Sequence, residues 1–338
     1  MRIHLPRASS PVAKQEVKQV MQMMRTALLV AVLAASAQLA AAATVTVSDC
    51  TTPDPHISVS GSLTVLDVGS DDLVLACALV PLGTSHKVRV LGNDITIQGP
   101  AGSIAADGKG NAVDLRANDK IVLDTASLEA SNGNGLIRLR SRNGFDIENA
   151  VLTTGDSTKA GKATLIQCTA PGCPLTMLHS NVLGHSVKVR VSGTITAVSN
   201  TIVTRGSRDL VDVRTLKGNA DMCCNQMGGG NESTTFIIAF GEINLTSTEI
   251  NRAEGITITS GTGGSGETNL LNATLNNDFG KQGQIVVTAA NGSSQVNIDG
   301  ATLIDDDFHG VDVSTINGRQ ILPHQGFNNT IGTPKVDM

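Results

Sequence analysis

Leu123-Asp124-Thr125-Ala126-Ser127-Leu128 and Ile147-Glu148-Asn149-Ala150-Val151-Leu152 share one pattern. Two apolar residues stand five apart, with a small or amide residue two places after the first. The same pair returns as Leu178/Leu183, Val198/Val203, Met222/Met227, Leu245/Ile250, Leu270/Leu275 and Ile298/Leu303, at intervals of 20 to 31 residues. Two places into each lie Thr125, Asn149, Ser180, Asn200, Cys224, Ser247, Asn272 and Gly300. Upstream of each comes a Val- and Ile-rich alternation: Val88/Val90, Val113/Leu115, Ile137/Leu139, Val189/Val191, Val211/Val213, Ile256/Ile258, Ile285/Val287 and Val311/Val313. Strict alternation marks strands with one buried face, and Gly and Asn punctuate the joins. A unit of this size cannot bury that face alone, so the repeat predicts stacking.

Stacked turns about 4.8 Å apart share a continuous aliphatic core. A hydroxyl or amide recurring at one corner, Asn200 among them, can bond to its equivalent one turn away and hold the bend. The expected fold is all-β, a solenoid of about ten coils. It resembles the right-handed parallel β-helix of the pectate-lyase-like superfamily over roughly residues 85–320. A β-sandwich fits less well, because it needs hairpin turns every 8 to 12 residues. Leucine-rich repeats lack support in the absence of a fixed Leu consensus.

Composition agrees. The 338 residues include 35 Gly, six Phe and no Trp or Tyr, so the core is aliphatic. Charged residues make up 16%, which argues against a disordered chain, a basic nucleic-acid binder or a Glu/Lys-rich helical bundle.

At the N-terminus, Arg25 precedes the apolar run Ala27–Leu33 and the small residues Ala40–Ala43. This reads as a signal peptide over 1–43, with Met23 or Met24 a candidate start and 1–22 a candidate start error. A membrane anchor is the weaker alternative, since the run is short and broken by Ser36 and Gln38. The expected order is then an N-terminal cap (44–85), the β-helix (86–320) and a C-terminal cap or tail (321–338). Localisation is periplasmic, cell-surface or secreted. Beyond residue 43 the net charge is −9, and the acidity gathers in 218–338, with 13 acidic residues against 4 basic.

Six Cys in an exported chain suggest disulfides, Cys50–Cys77 and Cys168–Cys173 being the local pairs. The adjacent Cys223 and Cys224 form either a vicinal bridge or two buried thiols.

The site candidates face outward from the strand upstream of each corner. One column is expected to run Arg89, Arg116, Arg140, Gln167, Arg190, Arg214, and its neighbour Lys87, Asp114, Arg138, Leu165, Lys188, Asp212. Such a stripe is either a groove for a polyanion, since guanidinium pairs with carboxylate or sulfate, or an internal ladder neutralised by Asp114 and Asp212.

The family resemblance implies further tests. Its lyases hold calcium with acidic residues on this face and use an Arg as base, but Asp114 and Asp212 lie four coils apart, about 19 Å. Its polygalacturonases carry Asn-Thr-Asp, Asp-Asp, Gly-His-Gly and Arg-x-Lys in order. Here only Asp305-Asp306-Asp307 and Phe308-His309-Gly310 approach that pattern. Asp305, Asp306 and His309 are therefore weak catalytic candidates, with a solvated corner the simpler reading. Asp278 and Asp306 could meet across adjacent coils, where calcium would relieve their repulsion, though two carboxylates are few ligands. His179 and His185 flank one corner as a minor metal candidate. No other cofactor is expected, and no nucleic-acid partner.

The function expected from these residues is non-catalytic presentation of a binding face, built on Arg89, Arg116, Arg140, Arg190, Arg214 and Lys188, to an acidic glycan or cell-surface polymer. A polysaccharide lyase or glycoside hydrolase is the alternative. A structural or adhesin role is the third.

Overall fold

A computed structural model describes residues 42–331 apart from segments 52–53, 84, 108–110, 132–134, 156–162, 206–208, 230–232, 252, 264–265, 278–283, 291–295, 306–310 and 316–329. The proposed signal segment lies almost wholly outside the described residues. Among them no helix occurs, and none is long and apolar enough to cross a membrane.

The chain is a parallel β-solenoid of about nine turns, close to the expected ten. Each turn lays one strand in each of three sheets. The first sheet has 12 strands and includes Lys87–Gly92, Ala112–Ala117, Leu136–Arg140, Ala163–Cys168, Ser186–Val191 and Leu210–Thr215. The second and third have 11 strands each; Lys120–Asp124 belongs to the second and Ser127–Ala130 to the third. Pairing is parallel in all three sheets except where Ile57–Ser60 runs antiparallel to Leu63–Asp67 at the first end. Strands between Thr44 and Leu79 already join the stack, so the solenoid begins at the start of the described chain.

The core follows from the alternation. Val88, Val113, Ile137, Thr164, Val187, Val211, Thr235, Ile256 and Ile285 point inward from successive strands of the first sheet and are buried. From the second sheet Leu75, Ile97, Leu123, Ile147, Met177, Ala197, Met222, Leu245, Leu270 and Ile298 stack likewise. Each such column removes aliphatic area from water at about 25 cal/mol per Å², so the core is as long as the stack itself.

Two of the eight expected pairs are displaced by one residue. The buried positions are Met177/Val182 and Ala197/Ile202, whereas Leu178, Leu183, Val198 and Val203 face outward, half-buried. In these two turns an apolar residue on the outer face stands next to each inner one, so a slip of one position still leaves two apolar residues five apart.

The corner between the second and third sheets is correspondingly two columns, not one. The first holds Thr125, Asn149, His179, Ser199, Cys224, Ser247, Asn272 and Gly300, all in the left-handed region with φ between 44° and 62°. That conformation costs most L-residues about 1–2 kcal/mol, which is why Asn, Ser and Gly collect there. The second column is inward, with Ser180, Asn200, Asn225 and Thr248 in consecutive turns, all buried. Asn200 Nδ2 donates to Met177 O (2.8 Å) and Asn225 Oδ1 (2.9 Å), and Asn200 Oδ1 accepts the Ser180 amide (2.9 Å). Asn225 Oδ1 accepts the Asn200 amide (3.0 Å), and Asn225 Nδ2 donates to Ala197 O (2.9 Å). The expected corner ladder exists, and its rungs run inside the core.

A second ladder lies outside, on the second sheet. Asn244 Nδ2 donates to Asp221 Oδ1 (2.6 Å), Asn269 Nδ2 to Asn244 Oδ1 (2.7 Å) and Asn297 Nδ2 to Asn269 Oδ1 (2.5 Å).

Cys50 and Cys77 are bonded, as are Cys168 and Cys173. Cys223 and Cys224 are neither bridged nor buried; they stand free at the outer surface. The cause is their place in the turn: Cys223 occupies an outward strand position and Cys224 the left-handed corner.

Candidate functional site: a cationic face on the first sheet

Inward positions on the first sheet are aliphatic apart from a few buried Thr, so its alternate positions meet solvent, and there the charges sit. One outward column reads Arg89, Asp114, Arg138, Leu165, Lys188, Asp212. The next reads Leu91, Arg116, Arg140, Gln167, Arg190, Arg214. Arg116, Arg140, Arg190 and Arg214 therefore align as expected, and Arg138 and Lys188 share the neighbouring column.

Arg89 and Lys87 are corrections. Arg89 pairs in register with Asp114 rather than Arg116, and Lys87 stands beside Ala112. A shift of two residues preserves the inside–outside alternation, so hydrophobic pattern alone could not detect it.

The shift creates a paired unit. Asp114 Oδ2 accepts Arg89 Nε (3.2 Å), Arg116 Nε (3.0 Å) and Arg116 Nη2 (2.7 Å). Four turns on, Asp212 Oδ2 accepts Arg190 Nη2 (3.2 Å) and Asp212 Oδ1 accepts Arg214 Nε (2.5 Å). The side chains of Asp114 and Asp212 are only 10% and 3% exposed. Each buried carboxylate is thus held by one Arg two residues along its own strand and one on the preceding strand. The charge ladder is real, but its partners are Arg89, Arg116, Arg190 and Arg214, not Lys87, Arg138 or Lys188.

Arg138, Arg140, Lys87 and Lys188 have no ion pair among the described residues. Burial, reinforced by Arg138 and then by Arg116 and Arg89 against an opposing pull from Asp114, lowers the pKa of Arg140 from its ordinary value. Its Nε is buried without a hydrogen-bond acceptor. Across these two columns seven cationic side chains, with Lys87 beside them, face two carboxylates, so the face is positive although the chain is acidic.

A pocket of about 250 Å³ opens at one end of this face. It exists because Ala112 is small between Lys87 and Leu136 in the same outward column. Lys87, Arg89 and Arg138 stand around it, Leu63 and Leu136 supply apolar wall, and Asn111 and Asp114 reach it from beneath. Asn111 is 1% exposed; its Nδ2 donates to Ala106 O (3.0 Å), while its Oδ1 has no partner. Asp114 Oδ1 is likewise buried and unpaired. Three cations beside two vacant acceptor oxygens can take an anionic group and donated hydroxyls together. Sequence reasoning missed this pocket, because Asn111 precedes the strand and Ala112 carries no chemistry of its own.

The remaining candidates separate. His179 and His185 sit at opposite ends of the strand Asn181–Gly184. His185 Nδ1 approaches Asp209 Oδ1 at 2.6 Å, and the Asp209 side chain is fully buried. No cluster of three His, Cys, Asp or Glu able to hold a metal occurs among the described residues. Asp278, Asp306 and His309 lie outside those residues, and Asp305 is described only as the end of the strand Thr302–Asp305. No family model, curated protein or solved structure matches the chain, so its likeness to the pectate-lyase-like proteins rests on the parallel β-solenoid alone.

Proposed function

We propose that this chain is an exported, non-catalytic β-helix whose first sheet binds an acidic polysaccharide. The observation that carries the proposal is the pocket over Ala112. A uronate unit presents a carboxylate for Lys87, Arg89 and Arg138, and hydroxyls that donate to Asn111 Oδ1 and Asp114 Oδ1. The stripe of Arg138, Arg140 and Lys188 then continues the positive field toward neighbouring units of a polymer. The two disulfides are compatible with export. Asp114 and Asp212, already engaged by arginines and about 19 Å apart, offer little to a calcium ion on this face.

The test is titration with polygalacturonate, alginate and a neutral glycan at low salt, with product assays for unsaturated and reducing ends. Expected are binding of the acidic polymers only, weakening as salt screens the face, and no cleavage. Lys87→Ala with Arg138→Ala should remove most of the affinity at unchanged thermal stability, since neither side chain has an ion pair to lose. Equal binding of the neutral glycan, or none of the acidic ones, would reject the proposal; cleavage would turn it toward the lyase or hydrolase reading.

A further inference from the structure

Four of the six cysteines are joined in disulfides, and two adjacent thiols are left free at the surface. Cys223 closes the strand Ala220–Cys223 between Val198 and Thr246 of the flanking turns. Cys224 follows in the left-handed corner column with φ of 60°. Elsewhere this column holds Thr, Asn, His, Ser or Gly. A thiol brings nothing to that backbone conformation that Asn or Gly does not bring better. The fold therefore gives no reason for cysteine here.

The pair is also held in place. The Cys224 amide donates to Thr246 O (2.8 Å), and Cys223 O accepts the Ser199 amide (2.9 Å), so both residues are pinned to the turns on either side. Cys223 and Cys224 are chain neighbours, so their Cα atoms lie about 3.8 Å apart across a trans peptide, and both stand free at the outer surface. Two sulfurs up to about 4.6 Å apart can share one ion through metal–sulfur bonds of about 2.3 Å, a span that two neighbouring side chains on one surface can reach by choice of rotamer.

We infer that Cys223 and Cys224 form a two-thiolate site for a soft, two-coordinate cation, Cu(I) being the physiological example. The ligand set decides the class of ion. Zinc wants four N or S donors, and no cluster of three His, Cys, Asp or Glu occurs among the described residues. Calcium and magnesium want oxygen. Thiolates select soft ions such as Cu(I), and two of them complete a linear coordination. Binding breaks two S–H bonds, forms two metal–sulfur bonds and releases two protons to solvent, with no change of oxidation state. The site lies on another face of the solenoid from the cationic groove and is independent of the polysaccharide reading.

The test uses the full chain with its disulfides intact, titrated without oxygen with Cu(I) supplied as its bicinchoninate complex. One equivalent of Cu(I) should leave the chelator, and iodoacetamide should then fail to alkylate either thiol. Cys223→Ser and Cys224→Ser should each weaken binding more than about 100-fold, beyond the loss of a merely supporting hydrogen bond, at unchanged melting temperature. Should either variant fail to fold, alkylating both thiols of the native protein supplies the same contrast without changing the sequence. The inference is overturned if the protein withdraws no Cu(I), or if a single-Ser variant or the alkylated protein binds as well as the native one. A Cys223–Cys224 disulfide in a non-reducing peptide map of freshly isolated protein overturns it equally.

Discussion

Replacing Asn200 by Ala removes three hydrogen bonds from a side chain that is 1% exposed. The Ser180 amide loses its acceptor inside the core, and an orphaned buried donor costs about 1–3 kcal/mol. Met177 O and Asn225 Oδ1 lose a donor each, at about 0.5–1.5 kcal/mol for a typical net contribution. The expected loss is about 2–6 kcal/mol. Asn269→Ala is the matched control, because Asn269 also bridges two turns but sits half-buried on the outer face, where water can take over both bonds. It should cost about 1 kcal/mol or less. Stacked turns unfold with nearest-neighbour cooperativity, so a global midpoint alone can hide a local loss. The assay is urea unfolding together with amide exchange followed in peptides covering 175–185. Asn200→Ala should speed exchange at Ser180 while leaving the first turns protected. Equal destabilisation by the two variants, or unaltered protection at Ser180, would refute the claim that the inner ladder holds the corner.

The paired arginines give a second expectation: Arg190→Met with Arg214→Met should cost about 3–5 kcal/mol by stranding Asp212, and adding Asp212→Asn should recover most of it. Lys188→Met, with no ion pair among the described residues, should be near neutral in the same unfolding assay. Asp94 is pushed above its ordinary pKa, first by burial and then by Asp119 and Asp72, against the Lys120 amide that donates to it. A raised acid favours the folded state below its unfolded pKa and loses that support as pH rises through its folded value, so Asp94→Asn should raise the melting temperature at pH 7 relative to native and bring no gain below about pH 3.9. For the disulfides, separations of 27 and 5 residues predict losses of about 3.6 and about 2.1 kcal/mol on removal, from loop-closure entropy. Paired Ser variants compared by urea midpoint would read that order, and a reversed order would contradict it.

Much of the fold was legible because inward Val, Ile and Leu recur at turn-length spacing in the strands of the three sheets. Where legibility failed, the reason was symmetry of the pattern. At Leu178 and Val198 apolar residues occupy both faces, so a one-residue slip went unseen and two corner columns merged into one. At Arg89 a two-residue slide kept every face correct and hid the Asp114 pair. The outer ladder did leave a signal, Asp221, Asn244, Asn269 and Asn297 at turn-length spacing, but polar side chains on a solvent-facing position do not by themselves mark a column. The pocket depended on Asn111 and Ala112, whose meaning comes only from the register of three strands.

The strands repeat in fixed register while the chain between them does not. Thirty residues separate Phe145 from Leu175, yet only twenty separate Leu175 from Ile195, and all three stack directly. Corner length is therefore uncoupled from the shaft: an insertion in one bend leaves the next turn where it was. A scaffold of this kind can lengthen by duplication of a whole turn and diversify by loop grafting. Each graft meets only two neighbours, and a recognition feature placed on one turn need not be renegotiated along the rest of the rod.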